Sequence, residues 1–503
     1  MEFDKDLQSI QQARDLMTRA KQAQKSLRNY TQEEINKIIR TITQACVDHG
    51  EELAKMASQE TGFGVWQDKV LKNLLGSQVT YEYIKDMRTT GIIKKDRDAG
   101  LVEVAVPVGV IVALIPSTNP TSTTMYKALI SLKAGNAIII SPHPGAKACI
   151  QKTAEIIAEA AKRAGAPEHI VQCVSLPTLQ ATDQLMKHKD TAVILATGGE
   201  AMVKAAYSSG NPALGVGPGN GPAFIERSAD ISKAIKRIMD SKTFDNGTIC
   251  ASEQSVVVET CMKEAAMKEL KAQGGYFMTE DESQKVGKFI MRANNTMNPA
   301  IVGKDAGHIC RMAGITVPTG TKVLISQQQE VGKNHPYSRE KLCPILGFYT
   351  VENWEQACDK CMELLENEGA GHTMTIHSEN EAIIREFALK KPVSRLLVNT
   401  AAALGGVGAT TNLAPALTLG CGAVGGSATS DNVTPLNLIN IKRLAYGVKE
   451  LEDLKQEYAI KEAVPSILPG ESGTVEQQVS QVEIEEITKE VLKKILQERN
   501  MRR

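Results

Sequence analysis

The sequence predicts an α/β fold built on parallel sheets, and three observations carry that prediction. From Leu101 onward, short apolar strands alternate with helical stretches at the spacing of βαβ crossovers. The run from Val108 to Ile115 is continuously apolar, as a strand buried on both faces must be. A length of 503 residues adds room for two to four domains at about 100–200 residues each.

The first ninety residues read as helices, with Leu7, Ile10, Leu16 and Met17 on one face and Ile35, Ile38, Ile39 and Ile42 on another. Leu101 to Val106 then alternates like a strand, and Val108 to Ile115 follows as a buried one. A helix over Ser122 to Lys133 stops at Gly135, and Ala137 to Ile140 is the next strand. Ala146 to Ala164 is helical, Ile170 to Val174 extended, Leu179 to Lys187 helical and Ala192 to Leu195 extended. This alternation implies a parallel sheet covered on both faces, a common platform for a nucleotide-type cofactor. A second α/β block begins after Gly221, with a helix over Ile231 to Met239 and strands over Ser255 to Val258, Val323 to Ile325 and Leu396 to Val398. Glycine is dense from Gly405 to Gly426, which predicts loops lying close to a ligand or to another backbone. Beyond Tyr446 the chain turns polar and helical, and Pro465, Pro469, Gly470 and Gly473 mark a linker.

Composition excludes several classes of function. The 58 basic and 58 acidic residues cancel, which argues against a nucleic-acid binder with its basic excess. Hydrophobic residues make up 42% of the chain, enough for packed cores rather than disorder. Ten cysteines are too sparse for a disulfide scaffold and predict reduced thiols in a cytosolic compartment. Met1 to Lys25 carries no signal-peptide pattern. The longest apolar stretch, Val104 to Ile115, is broken by Pro107 and Gly109 and falls short of the ~20 residues of a membrane span. A soluble, intracellular chain is the expectation.

Familiar phosphate and metal motifs are missing. There is no Walker-type loop and no His-Glu-x-x-His, and Gly215, Gly217, Gly219 and Gly221 do not fit Gly-x-Gly-x-x-Gly. Cys358-Asp-Lys-Cys361 lies in a helical stretch without a second pair nearby, which reads either as two helix-face thiols or as a metal or redox pair. The stretch Phe244-Asp-Asn-Gly-Thr-Ile-Cys250 is more informative, because a turn at Asp245-Asn246-Gly247 presents Cys250 just before a strand. A lone cysteine of this kind is either an inert buried residue or a nucleophile.

At this point the sequence resembles the aldehyde dehydrogenase superfamily, and within it the CoA-acylating branch. Five elements stand in order: Pro116-Ser-Thr-Asn119-Pro120, Thr197-Gly198-Gly199, Gly217-Pro-Gly-Asn-Gly-Pro222, Cys250, and Glu340-Lys-Leu-Cys-Pro344. The resemblance implies a Rossmann-type cofactor domain over 1–220, with oligomerisation strands at 92–106. It implies a catalytic domain over 221–430, and an oligomerisation strand and helix over 431–464. The superfamily's exchanged strand pair makes Ile92 to Val106 and Asn437 to Tyr446 candidates for a homodimer or tetramer contact. Catalysis would fall to Cys250 as thiolate nucleophile, to Asn119 and the Cys250 N–H as oxyanion donors, and to His372 in proton transfer or coenzyme A ionisation. A satisfied structural histidine is the other reading of His372. Cofactor contacts would come from Ser117, Thr118, Ser141, His143, Thr197, Gly198, Gly199, Gly217 and Glu340. Glu340 would hold the nicotinamide ribose, with a surface ion pair as its other reading.

Two departures from the family pattern sharpen the expectation. Hydrolytic members carry a water-activating glutamate where this chain has Val216, and valine cannot act as a general base. A thiol acceptor, partly ionised near neutral pH, needs less help, so coenzyme A is the implied acyl acceptor. Where hydrolytic members use Lys-Pro-x-Glu for the adenosine ribose, this chain has Ser141-Pro-His-Pro144, which leaves NAD as the family default and NADP open. The resemblance therefore implies oxidation of a short aldehyde, acetaldehyde or propionaldehyde, to its acyl-CoA. An acyl-phosphate reductase of the same superfamily and a catalytically silent scaffold are the alternatives.

The tail has its own signature. Thr474-Val-Glu-Gln477 fits a capping box, and Ile484, Ile487, Val491, Leu492, Ile495 and Leu496 recur at helical spacing opposite charged residues. Such a stripe either packs on its own subunit, pairs as a coiled coil or docks on another protein. Acylating aldehyde dehydrogenases of bacterial microcompartments often carry a short amphipathic helix on a linker. By that resemblance 465–503 is a linker plus encapsulation peptide, with Thr474 to Arg499 (474–499) addressing a shell protein inside a cytoplasmic microcompartment.

Overall fold

A computed structural model describes residues 4–458 except 295, together with Thr488, Lys489 and Lys493. The chain divides into two units between Tyr446 and Gly447, and the second contributes the short helix Leu451–Glu457 to the described residues.

The N-terminal helices are amphipathic and locally well specified. Helix Gln32–Asp48 starts at a complete capping box between Thr31 and Glu34, and Ile35, Ile38, Ile39 and Ile42 are all buried. Helix Lys5–Leu27 departs from the sequence reading. Of the four residues assigned to its inner face only Met17 is buried, whereas Leu7 is 58% exposed. Ser9, Ala13, Ala20 and Ala23 line the true inner face, small side chains that let the helix lie close, with the Ser9 hydroxyl 2.6 Å from that of Thr178.

Three sheets follow among the described residues. Strands β1 (Gly91–Asp96) and β2 (Leu101–Pro107) pair antiparallel. Strands β3 (Val110–Ile115), β4 (Ala137–Pro142), β5 (Val171–Cys173), β6 (Thr191–Thr197) and β7 (Ala213–Val216) form a parallel sheet in the order β5-β4-β3-β6-β7. Strands β8 (Gly221–Ile225), β9 (Glu253–Glu259), β10 (Gly275–Phe277), β11 (Val323–Gln327), β12 (Ile345–Val351), β13 (Gly371–His377) and β14 (Val393–Val398) form a seven-stranded parallel sheet, ordered β10-β11-β12-β9-β8-β13-β14. Strand β15 (Ile439–Ala445) returns to pair with β2. Every residue of β3 and β4 is buried, and each large aliphatic side chain there contributes roughly 1.5–3 kcal/mol through burial.

Strand order reverses between β3 and β6, which opens a crevice at their C-terminal ends. The fully buried Lys127, on helix Pro120–Lys133, spans that point: its Nζ donates 2.8 Å bonds to the carbonyls of both Leu114 and Leu195. The glycine-dense stretch resolves toward backbone packing. A Cβ at Gly420 would lie 2.3 Å from the Thr429 carbonyl oxygen, and one at Gly425 2.5 Å from that of Ala370. Cys358 and Cys361 are buried in helix Trp354–Asn367, where they pack in a hydrophobic core.

Candidate active site

The site is built where two strand edges meet. The C-terminal ends of β3, β4 and β6 deliver Pro116 to Asn119, Ser141 to Pro144 and Thr197 to Gly199. The N-terminal ends of four neighbouring strands in the larger sheet face them: Glu340 precedes β12, Cys250 precedes β9, Gly219 precedes β8, and His372 is the second residue of β13.

Gly219 holds this group together. Its N–H donates to Glu340 Oε1 at 3.0 Å. A Cβ at this position would lie 1.9 Å from the Cys250 carbonyl oxygen and 3.3 Å from Cε1 of His372, so only glycine fits. Cys250 is half-buried, and burial, with Glu340 adding to it, pushes its thiol up to about 12. Low polarity and a neighbouring carboxyl both favour the neutral thiol at rest. Burial and then Glu368 push the Glu340 carboxyl up to about 8. Glu340 is only 9% exposed and hydrogen-bonded inward, so the surface ion-pair reading fails. His372 is fully buried and held neutral, its pKa pushed down to about 3 by burial and then by Arg395. Its Nδ1 lies 3.0 Å from Thr373 Oγ1, and its Nε2 is without a partner among the described residues.

Asn119 reaches the same turn. Its Nδ2 donates to the carbonyl of Thr248, two residues before Cys250, and to Thr118 Oγ1, both at 3.2 Å. The turn itself is unusual, because Asp245 (φ 49°) and Asn246 (φ 52°) both adopt the left-handed conformation ahead of Gly247 (φ 75°). Such residues cost about 1–3 kcal/mol each, offset here by hydrogen bonds to the Asp245 carboxylate from the Val65 N–H, Lys69, Lys72 and the Thr248 hydroxyl.

Beside these groups lies a cleft of about 710 Å³. Ser141, His143, Thr197, Gly198, Gly199 and Glu340 line it. Ser117, Thr118 and Gly217 do not, although their neighbours Pro116 and Pro218 do. Sequence reasoning missed Thr178, Lys204 and Glu368 in the cleft wall, and it missed Lys69, Lys72 and Arg395 behind the site. Only Asp245, in the quoted turn, hinted at that layer. Val216, buried at the end of β7, pairs with Thr197 and leads directly into the Gly217–Gly219 turn.

Comparison with known proteins agrees with this arrangement. A model of the aldehyde dehydrogenase family matches residues 6–341. The chain is 44% identical over 435 residues to the bifunctional aldehyde-alcohol dehydrogenase AdhE of Escherichia coli K12, covering 86% of this chain and 49% of that one. It thus spans about half the length of the AdhE-type curated relatives it matches. It is 38% identical to the acetylating succinate-semialdehyde dehydrogenase of Clostridium kluyveri, covering 87% of this chain and 96% of that one. Similar solved structures include the following three. A probable aldehyde dehydrogenase from Listeria monocytogenes is 63% identical (TM-score 0.89, covering 90% of this chain and 100% of that one). An acetylating aldehyde dehydrogenase from Geobacillus thermoglucosidasius is 52% identical (TM-score 0.88, 90% and 99%). A propionaldehyde dehydrogenase from the Clostridium phytofermentans fucose-utilisation bacterial microcompartment is 30% identical (TM-score 0.78, 88% and 98%). With a family model matched over two thirds of its length and a relative 38% identical over nearly its whole length, the chain belongs to the aldehyde dehydrogenase family.

Proposed function

We propose that this chain is a CoA-acylating aldehyde dehydrogenase, converting a short-chain aldehyde reversibly to its acyl-CoA with NAD as oxidant. The observation that carries this reading is the gathering of Cys250, Glu340 and His372 on Gly219, with Val216 rather than a carboxylate on the strand that leads into it. The acetylating activity named for the relatives from C. kluyveri and G. thermoglucosidasius supports it.

The cleft fits a dinucleotide: its volume lies within the ~300–1,000 Å³ of small-molecule sites, and it opens at a topological switch point. Ser141 and His143 would hold one end, the Thr197–Gly199 turn the middle, and Glu340 the nicotinamide ribose, with Ser117, Thr118 and Gly217 in the adjoining turns. Bound there, the cofactor supplies a hydride acceptor. Ser141-Pro-His-Pro144 has no carboxylate to repel a 2′-phosphate, so the assay includes NADP beside NAD.

Cys250 releases its thiol proton to solvent as Sγ forms a bond to the aldehyde carbon, and the C=O π pair passes to the oxygen, whose charge Asn119 Nδ2 and the Cys250 N–H would stabilise. Relative to thiol plus aldehyde, the resulting acyl-enzyme has lost one hydride and one proton. The coenzyme A thiol then takes the acyl group, the S–acyl bond to Cys250 breaks, and the thiol is regenerated. His372, neutral at working pH and with no Nε2 partner among the described residues, would accept a hydrogen bond from the incoming thiol as its proton leaves to solvent. Replacing Cys250 by Ala should abolish CoA-dependent NADH formation from acetaldehyde or propionaldehyde. Native-like turnover would refute the assignment. Inorganic phosphate in place of coenzyme A should support no turnover.

Two assembly proposals accompany the chemistry. Ile92, Ile441, Leu444 and Tyr446 are exposed on or beside the antiparallel sheet and suit a homodimer or tetramer contact, which light scattering will count. The amphipathic helix of 474–499, apart from Thr488, Lys489 and Lys493, lies outside the described residues. Its apolar stripe beyond a linker, together with the microcompartment source of the C. phytofermentans neighbour, supports docking to a shell protein. Deleting 466–503 should leave turnover intact and abolish co-purification with the shell. Loss of activity or a changed oligomer would place the helix on its own subunit.

A further inference from the structure

A buried charged cluster behind the site is used by no step above. Lys72 is 2% exposed, and its three ammonium hydrogens are all engaged: with Asn119 Oδ1 (2.7 Å), with Thr248 Oγ1 (2.8 Å) and with the carboxylate of Asp245. Lys69, equally buried, donates to the same carboxylate at 2.8 Å and to the Thr118 carbonyl at 3.2 Å. Asp68 accepts the Asp245 backbone N–H at 2.7 Å, which closes the network. Burial alone would raise the Asp245 carboxyl, but the two lysines outweigh it and hold it below its ordinary value, so it stays ionised.

An ammonium group can only donate, so Lys72 decides which end of the Asn119 carboxamide faces it: Oδ1 turns to the cation and Nδ2 to the Cys250 turn. A cation on the carbonyl oxygen also withdraws electron density and makes the amide N–H a stronger donor. The two bonds Nδ2 makes at rest, both 3.2 Å, are at the long end for N–H···O, so a charged oxygen can displace one. Lys72 touches the Thr248 hydroxyl as well, so donor and nucleophile turn share one anchor.

We propose that Lys72, held by Asp245, is a positioning residue for the oxyanion site: it fixes and polarises the Asn119 carboxamide that receives the thiohemiacetal oxygen. This rests on the reading of Cys250 as nucleophile and Asn119 as donor.

The test is a double-mutant cycle on the full chain with Lys72→Met and Asn119→Ala, read as kcat and KM for propionaldehyde. Loss of an oxyanion donor typically costs about 10²–10³ in rate. Lys72→Met should lower kcat about tenfold to a hundredfold with KM for aldehyde unchanged, and should add less than about twofold in the Asn119→Ala background. Alkylation of Cys250 by iodoacetamide, which creates no oxyanion, should proceed at the native rate. Lys72→Gln, which keeps a neutral amide donor in place of the ammonium, should recover part of the loss, and it replaces Lys72→Met in the cycle if the latter melts below assay temperature. Equal losses from Lys72→Met in both backgrounds, or a parallel fall in alkylation, would overturn the proposal and leave Lys72 as scaffolding. Native turnover in Asn119→Ala would overturn the donor reading beneath it, an outcome separate from either.

Discussion

Gly219 offers the sharpest test of the site's geometry. The backbone torsion at this position is open to any residue, so Gly219→Ala probes contact alone. The added Cβ would sit 1.9 Å from the Cys250 carbonyl oxygen and 2.8 Å from its carbon, where real Cβ contacts are essentially never closer than 3.0 Å. Both neighbours are backbone atoms, so no side-chain rotation relieves the overlap, and the Cys250 turn must shift by about 1 Å or more in a close-packed interior. Misplacement of that size costs about 100-fold in turnover, and overpacking costs about 1–3 kcal/mol in stability. The same shift would stretch the Gly219 N–H bond to Glu340, now 3.0 Å. CoA-dependent NADH formation, the rate of Cys250 alkylation and a thermal melt read these effects together. A folded Gly219→Ala protein that turns over within threefold of native would show that Cys250 does not work from this position.

Other predictions follow from the titratable groups. The Glu340 carboxyl is raised to about 8 from an ordinary 4.5, so folding favours its protonated form; the associated stability is complete below pH 4.5 and is lost as pH rises through about 8. Glu340→Gln should therefore melt at a higher temperature than native at pH 8.5 and at nearly the same temperature at pH 4.5, while its KM for NAD rises; an unchanged difference across that range would refute the burial argument. His372, held near 3, carries no proton change between pH 5 and 8. The pH profile of kcat/KM for coenzyme A should keep its shape in His372→Gln while its height falls, and loss of an ionisation near pH 6–7 would contradict this. With Val216 in the place of a carboxylate, native enzyme should release acyl-CoA with little free acid, as product chromatography will show.

The alternating strands and helices of 101–197 were legible because most of them end beside a glycine or proline and the centres of β3, β4 and β6 are runs of apolar residues. Strand β13 was not, because Gly371-His-Thr-Met-Thr-Ile-His377 is polar in pattern yet wholly buried, its polar side chains turned into the interior by neighbours on both sides of the sheet. Helix Lys5–Leu27 was read on its large residues, when close packing had placed the small ones inside. At the site, Cys250 stood out through its turn, and Asn119 only through the family resemblance of Pro116 to Pro120. Lys69 and Lys72 did not: two lysines three apart on a helix read as a solvated face, and only the fold brings Asp245 against them. The neutral state of Cys250 was also invisible, since it depends on burial and on Glu340, ninety positions away.

The most direct test of the central claim is the mass of the enzyme caught between its two half-reactions. Incubated with propionaldehyde and NAD but without coenzyme A, the protein should gain one propionyl group, mapped by digestion to Cys250. Adding coenzyme A should discharge that group as propionyl-CoA. An unmodified Cys250, or a propionyl group released as free acid whether or not coenzyme A is present, would contradict the account.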